Sequence, residues 1–226
     1  MKDHNFYRNV VKRFFDIVLC SFALIILSPL FLFAAIGIKI SSPGPVFYRS
    51  RRKGKNGKEF DFYKFRSMHE TDHNKGLCVA DPDRLFPFGK LIRRMKIDEL
   101  PQLLNVIRGD MSIVGPRPMT LASQMYEGEY EEVKSIRPGL TSPASLYDYL
   151  VGDTYTDNDL YKKEVYPVKQ KLELYYVQHE SFGYDVSLIF RTMGLIIAVA
   201  LGKKNFKLIP EYEKVTGEKQ TSMTGR

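Results

Sequence analysis

Between Phe14 and Ile38 the chain is almost wholly apolar, with Asp16 the only charge in the run. That length is enough to cross a bilayer as a helix. Any fold for this sequence must therefore put the run in lipid or in an unusually uniform core. A cleaved signal peptide fits poorly, because the run is too long and no small-residue cleavage site follows it. Ser28-Pro29 sits at its middle. Proline there removes an amide donor and strains the preceding turn, while the serine hydroxyl can satisfy a carbonyl that the break sets free. Basic residues flank both ends: Lys12 and Arg13 before, then Lys39, Arg49, Arg51, Arg52 and Lys53 after. A spanning helix shows its Lys/Arg excess on one side only. The symmetry predicts a re-entrant helix bent at Ser28-Pro29, with both ends cytoplasmic. The competing reading is a proline-kinked spanning helix.

The rest of the 226 residues is enough for one domain with its own core. A net charge of +8 suits nucleic acid, an anionic lipid surface or a phosphorylated substrate. With only two cysteines, one of them Cys20 inside the apolar run, a disulfide framework is not expected. Ser41-Ser42-Pro43-Gly44-Pro45 ends the membrane helix. Val46–Arg51 and Lys58–Arg66 read as two strands joined by a loop carrying Asn56-Gly57, a hairpin signal. Lys64 and Arg66 fall on one face of the second strand by alternation.

Thr71–Arg84 reads as a polar loop with a turn at Asp81-Pro82-Asp83. His69 and His73 have no third ligand at metal spacing and read as solvated. Leu85–Met95 mixes aromatics with cations and suits a helix in the headgroup layer, or an ordinary amphipathic core helix. Leu121–Lys134 reads as a charged helix, and Tyr155–Glu180 as a long helix interrupted at Pro167. Val186–Leu201 is apolar but broken by Arg191 and Thr192, so it is expected in the core or at the interface rather than across a membrane. There is no internal repeat and no nucleotide-binding glycine motif of either standard type.

The chemistry gathers between Ile97 and Pro118. Asp98 and Glu99 stand before the helical pattern of Leu100, Leu103, Leu104 and Ile107, with Asp98 placed as an N-cap and Pro101 tolerated in the first turn. A helix N-terminus would keep both acids ionised. Arg93, Arg94 and Lys96 precede them, and Arg117 follows between two prolines. Ionised carboxylates ringed by cations suit a nucleophile or metal ligand working on a phosphate. The plain alternative is a helix cap with surface ion pairs.

The spelling Asp98-Glu99-Leu100-Pro101-Gln102, followed by Arg108-Gly109-Asp110-Met111-Ser112-Ile113-Val114-Gly115-Pro116-Arg117-Pro118, closely resembles the bacterial sugar transferases, the monotopic phosphoglycosyl transferases. Ser28-Pro29, Tyr63-Lys64-Phe65-Arg66-Ser67-Met68 and Arg137-Pro138-Gly139-Leu140-Thr141 extend the resemblance over roughly residues 8–200. In that family the last motif is usually followed by Gly, an apolar residue and Ala-Gln-Val-Asn-Gly. Here Ser142-Pro143-Ala144-Ser145-Leu146-Tyr147-Asp148-Tyr149 stands instead.

The resemblance implies transfer of a sugar-1-phosphate from a UDP-sugar to polyprenyl (undecaprenyl) phosphate with release of UMP, at the cytoplasmic face of a bacterial inner membrane. By matching position, Asp98 would be the nucleophile and Glu99 the ligand for Mg²⁺. Lys64, Arg93, Arg117 and Arg137 would bind substrate, with Arg66 unassigned. Membrane phospholipids are expected partners, nucleic acid is not, and homodimerisation stays open.

The expected fold is α+β: a basic lead and re-entrant membrane helix over 1–40, then a compact, mainly helical cytoplasmic domain over 41–202. That domain would carry a small β-hairpin and interfacial amphipathic helices. Residues 203–226 are expected as a poorly ordered polar tail. A basic membrane scaffold would explain charge and anchor but leave Asp98-Glu99 idle. A membrane phosphohydrolase would pass the acyl phosphate to water.

Overall fold

The structure, a computed structural model, describes residues 6–69, 84–121, 123, 126–203, 205–218 and 223–224. The Asp81-Pro82-Asp83 turn, His73 and all of the expected 71–84 loop except Arg84 lie outside them.

The apolar run forms two helices, α1 (Tyr7–Ile26) and α2 (Ser28–Ser41), bent by 61° at Leu27. Pro29 cannot donate to the Ile25 carbonyl, and the Ser28 hydroxyl donates to it instead at 2.8 Å. The break thus leaves that carbonyl satisfied. One face of the pair is buried through Cys20, Ala34 and Ile38, while Phe14, Phe22, Ile25, Leu32 and Ile40 are exposed.

After α2, the strands β1 (Phe47–Lys53) and β2 (Glu59–Phe65) pair antiparallel around the Asn56-Gly57 turn, where both residues take positive φ. A short β4 (Met119–Thr120) adds to the free edge of β1. The outer edge of β2 is closed by a side chain. Asn105, on α4 (Gln102–Arg108), donates to the Asp61 carbonyl at 2.6 Å and accepts the Tyr63 N–H at 3.2 Å. Asn105 is fully buried. Asn105→Ala would strand two backbone groups, so a loss of about 2–3 kcal/mol is expected. Thermal unfolding in detergent, compared with a neutral surface variant, checks it.

Between β2 and α4 lie α3 (Pro87–Arg94) and a tight 3₁₀ turn, Ile97–Glu99. α3 fits closely because Gly89 has no side chain to run into the Ser67 carbonyl. Ile97 packs with Ala34, Ile38 and Phe65 under α2. Leu103 and Val106 pack with Cys20 and Phe62 under α1. The turn carrying the two acids is therefore pinned at one side to each half of the bent helix.

The larger core belongs to the C-terminal half. The parallel strands β3 (Ser112–Val114) and β5 (Gly139–Thr141) are followed by α5 (Pro143–Val151) and α6 (Asn158–His179). Leu146, Val165, Leu172 and Tyr176 fill its interior. Expectation and structure part in three places here. α6 runs unbroken through Pro167, because fully buried Val165 and Leu172 hold it on both sides. Residues 128–135 form 3₁₀ turns rather than an α-helix, starting from Gly128 in the left-handed region. Residues 205–217 are not a loose tail. They form β6 (Asn205–Phe206) and a helix (Pro210–Thr216), with Leu208 and Ile209 in the core, Tyr212 stacked on Tyr147 and Glu211 bound bidentately by Arg191.

Of the two places expected for the 186–201 run, core or interface, α7 (Phe182–Ala200) does not take the first, because only 11% of its most apolar stretch is buried. Among the described residues it is long and apolar enough by itself to cross a membrane, and the bent α1–α2 pair passes the same test together.

The basic lead is tied into the protein. Lys12 bonds Asp185 at 2.7 Å and Tyr176 at 2.5 Å, Arg8 bonds Glu180, and Arg13 donates to the Val106 and Ile107 carbonyls that end α4. Asp16, the lone charge of the apolar run, accepts the Ile113 N–H at 3.0 Å. At the far end, Arg66 donates to the Ser42 and Pro43 carbonyls at 2.7 Å each, closing the turn after α2.

Candidate active site

The site begins with a forced backbone. Lys96 takes φ 55°, ψ 17°, a left-handed conformation that costs a non-glycine residue of order 1 kcal/mol or more. This turn folds the chain sharply from α3 into Ile97–Glu99. The Lys96 ammonium lies over the Tyr149 ring at 4.5 Å, and the Tyr149 hydroxyl donates to the Arg94 carbonyl at 2.9 Å. The divergent 142–149 stretch thus props the turn from α5.

Because the 3₁₀ turn comes first, Asp98 is not an N-cap. α4 starts at Gln102, with Pro101 at the capping position and no side-chain cap. The helix-terminus argument for ionising both acids therefore fails, and the two carboxyls meet opposite surroundings instead. Glu99 receives Lys64 on Oε1 at 2.8 Å, and Arg117 on both oxygens at 2.8 and 3.2 Å. Its side chain is 15% exposed and that of Lys64 19%. Burial alone would raise the Glu99 pKa, but Arg117 and then Lys64 hold it well below the usual carboxylate range. Asp98 is 2% exposed, and its Oδ1 has no hydrogen-bond partner among the described residues. Burial pushes its carboxyl up, with Lys64 and Arg93 opposing. The two adjacent acids are thus driven apart, a pattern found where two carboxyls of an active site take separate roles and also in structural ion-pair networks.

The structure brings Asp98, Glu99, Lys64 and Arg117 together, and the charge of Arg93 acts on Asp98. It places Arg137 elsewhere. That guanidinium donates to the Gly109 carbonyl at 3.0 Å and lines a cavity with Arg8, Lys12, Asp16 and Lys55 at the root of α1. Arg66 also points away from the dyad, to the turn after α2. Ser28 and Pro29 form the bend and contribute nothing to this cluster.

Three participants were missed. Arg52 is largely enclosed: its guanidinium lies 5.5 Å over the Phe62 ring, and its charge acts on Arg117 and Glu99. Glu173 and Ser142 stand behind Arg117. The alternation of β1 could have found Arg52, whereas nothing local marks Glu173.

Among the described residues, no three His, Cys, Asp or Glu side chains gather to hold a metal. What the site offers is one unpartnered buried carboxylate oxygen on Asp98 and one singly engaged oxygen on Glu99, Oε2. This fits a hard cation that takes few protein carboxylates and completes its shell with water and phosphate oxygens, as Mg²⁺ does.

Residues 7–199 match the bacterial sugar transferase family. The chain is 39% identical over 203 residues to the exopolysaccharide production protein PSS of Rhizobium leguminosarum bv. phaseoli, covering 81% of this chain and 94% of that protein. It is 36% identical over 192 residues to a UDP-glucose:undecaprenyl-phosphate glucose-1-phosphate transferase of Escherichia coli K12, covering 81% of this chain and 39% of that one. It is also 36% identical over 194 residues to a UDP-N-acetylgalactosamine-undecaprenyl-phosphate N-acetylgalactosaminephosphotransferase of Aeromonas hydrophila, covering 83% and 44%. The chain thus spans less than half the length of these last two relatives.

Proposed function

This chain belongs to the bacterial sugar transferase family, and from that premise we propose that it moves a sugar-1-phosphate from a UDP-sugar to polyprenyl phosphate. The observation that carries this is the split dyad, with Glu99 clamped between Lys64 and Arg117 while the Asp98 Oδ1 beside it is left without a partner. In the first step an ionised Asp98 oxygen attacks the phosphorus that bears the sugar. The P–O bond to UMP breaks, and its electron pair leaves with UMP. In the second step an oxygen of the lipid phosphate attacks the same phosphorus, and Asp98 departs as a carboxylate. Lys64, Arg117 and Arg93 neutralise the meeting anions, which a weak carboxylate nucleophile requires. Mg²⁺, held by Glu99, would supply electrophilic activation of the phosphates. Burial of Asp98 keeps water from an acyl phosphate and favours transfer over hydrolysis.

A family of membrane-associated sugar transferases also needs its site at the bilayer surface, where a soluble donor meets a lipid acceptor. We read α1–α2 as a re-entrant anchor lying among phospholipids at the cytoplasmic face. Support comes from both ends of the pair being fastened to one domain, through Lys12 and Asp16 at the start and the Ser42 and Pro43 carbonyls at the end. A spanning helix would separate its ends by the thickness of the hydrocarbon core, about 30 Å.

Cysteines introduced at Lys2 and at Lys55 should both resist a membrane-impermeant thiol reagent in intact cells. Labelling at one of them alone means a spanning helix. Pro29→Ala returns an N–H to the Ile25 carbonyl, so a fraction of molecules should gain labelling at one end. For the reaction, the protein with Mg²⁺ and undecaprenyl phosphate should release UMP from one member of a UDP-sugar panel. Release of free sugar phosphate in the absence of lipid would point to a phosphohydrolase.

A further inference from the structure

Arg117 sits between Pro116 and Pro118, so its own amide is the only backbone donor of that turn. The flanking strands do not supply its acceptor. The Gly115 N–H goes to the Thr141 carbonyl at 2.9 Å, and the Gly139 N–H goes to the Pro116 carbonyl at 2.8 Å. The Arg117 N–H donates instead to Glu173 Oε1 at 2.9 Å, far along the chain on α6. Glu173 is completely buried, and it rides on a helix fixed by Val165, Leu172 and Tyr176, all equally buried. The Ser142 hydroxyl donates to the same Oε1 at 3.1 Å while accepting the Ser145 N–H that starts α5. Ser142 is also where this chain leaves the family's usual spelling.

We propose that Glu173, held by Ser142, is a positioning residue: it fixes the backbone of Arg117 so that the guanidinium meets both oxygens of Glu99. Its kinetic consequence rests on the phosphoglycosyl-transfer reading, whereas the contact itself does not. Turn and clamp form one chain of bonds, from Ser142 through Glu173 and the Arg117 amide to the guanidinium, Glu99 and Lys64. A single displaced link shifts the cation that faces the reacting phosphates. Misplacement by about 1 Å can lower turnover a hundredfold. Burial raises the Glu173 pKa to about 7. With the proton on Oε2, Oε1 still accepts from Arg117, and the Tyr126 hydroxyl also lies against this carboxyl. A glutamine should therefore serve almost as well.

The test uses the full chain in detergent with Mg²⁺, undecaprenyl phosphate and the UDP-sugar that the panel identifies. Glu173→Asp withdraws the acceptor by one methylene and keeps the acid, so kcat should fall ten- to hundredfold. Glu173→Gln should keep at least a third of wild-type turnover. In an Arg117→Ala background, Glu173→Asp should add less than a twofold loss, because the guanidinium it positions is gone. Hydrogen exchange gives a readout free of activity. A peptide of residues 115–118 keeps one backbone amide, that of Arg117, because Gly115 becomes its amino terminus and the prolines have none. That amide should exchange at least tenfold faster in Glu173→Asp and unchanged in Glu173→Gln. Wild-type kcat in Glu173→Asp, or an equal loss with and without Arg117, overturns the proposal, the latter result assigning Glu173 a merely structural role. Unchanged exchange in Glu173→Asp overturns it as well. If the wild type releases no UMP from any UDP-sugar, the functional reading falls, and the exchange data still judge the contact.

Discussion

Asp98→Asn is expected to lower UMP release by at least about 10⁴-fold, the scale of removing a covalent nucleophile. Asparagine matches the shape of the acid, and Asp98 Oδ1 has no partner among the described residues to lose. Burial already disfavours the charge there, so the melting temperature should hold or rise. Loss of a charge that merely stabilised the transition state would cost about 10²–10³-fold, which the assay separates from a lost nucleophile. Two-step transfer also requires ping-pong kinetics, with UMP leaving before the lipid binds. Wild-type enzyme incubated with UDP-sugar alone should carry a sugar-phosphate on the peptide containing Asp98, and Asp98→Asn should carry none. Sequential kinetics with no acid-stable adduct would mean direct attack by the lipid phosphate.

What the sequence disclosed was set by how local each cause is. The hairpin was legible because Asn56 and Gly57 adopt positive φ from their own chemistry. The bend at Leu27 was legible because Pro29 lacks an amide whatever surrounds it. The clamp on Glu99 joins residues 35 and 18 positions apart, so no local pattern links them. The family resemblance brought Lys64 and Arg117 to the site only as substrate ligands, and their meeting on one carboxylate comes from the fold. Asp98 was misread as a helix cap because the left-handed turn at Lys96 inserts a 3₁₀ turn ahead of α4, and lysine gives no sign of it. Residues 203 onward looked like a tail because few of them are apolar. Yet Leu208, Ile209 and the Glu211–Arg191 pair suffice to dock them. The basic lead shows the opposite limit. Its charges counted toward topology in the sequence, while in the fold Arg8 and Lys12 answer buried acids and Arg13 answers the carbonyls ending α4.

Glu99→Gln should cost both activity and stability, which distinguishes it from Asp98→Asn. The plain alternative read from the sequence put Glu99 among surface ion pairs at a helix cap, but the fold encloses it between two cations. An amide cannot balance Lys64 and Arg117, so two partly buried positive charges would face each other across it. Removing one partner of a fully buried pair costs about 3–5 kcal/mol, and the residual exposure here reduces that to about 1–3 kcal/mol. The sign with pH follows from the lowered pKa. Glu99 contributes stability that is present above the ordinary carboxylate range and is lost as pH falls through its own lower value. The wild type should therefore lose melting temperature on acidification more steeply than Glu99→Gln. Turnover should drop about 10²–10³-fold, the range for one removed electrostatic group, and extra Mg²⁺ should restore little of it. In the wild type, chelation should abolish UMP release and added Mg²⁺ should return it. Full turnover in excess chelator would take the metal out of the reaction. Glu99 would then be left as the clamp that orients Arg117 and Lys64, and the stability arm of the same experiment would still report that role.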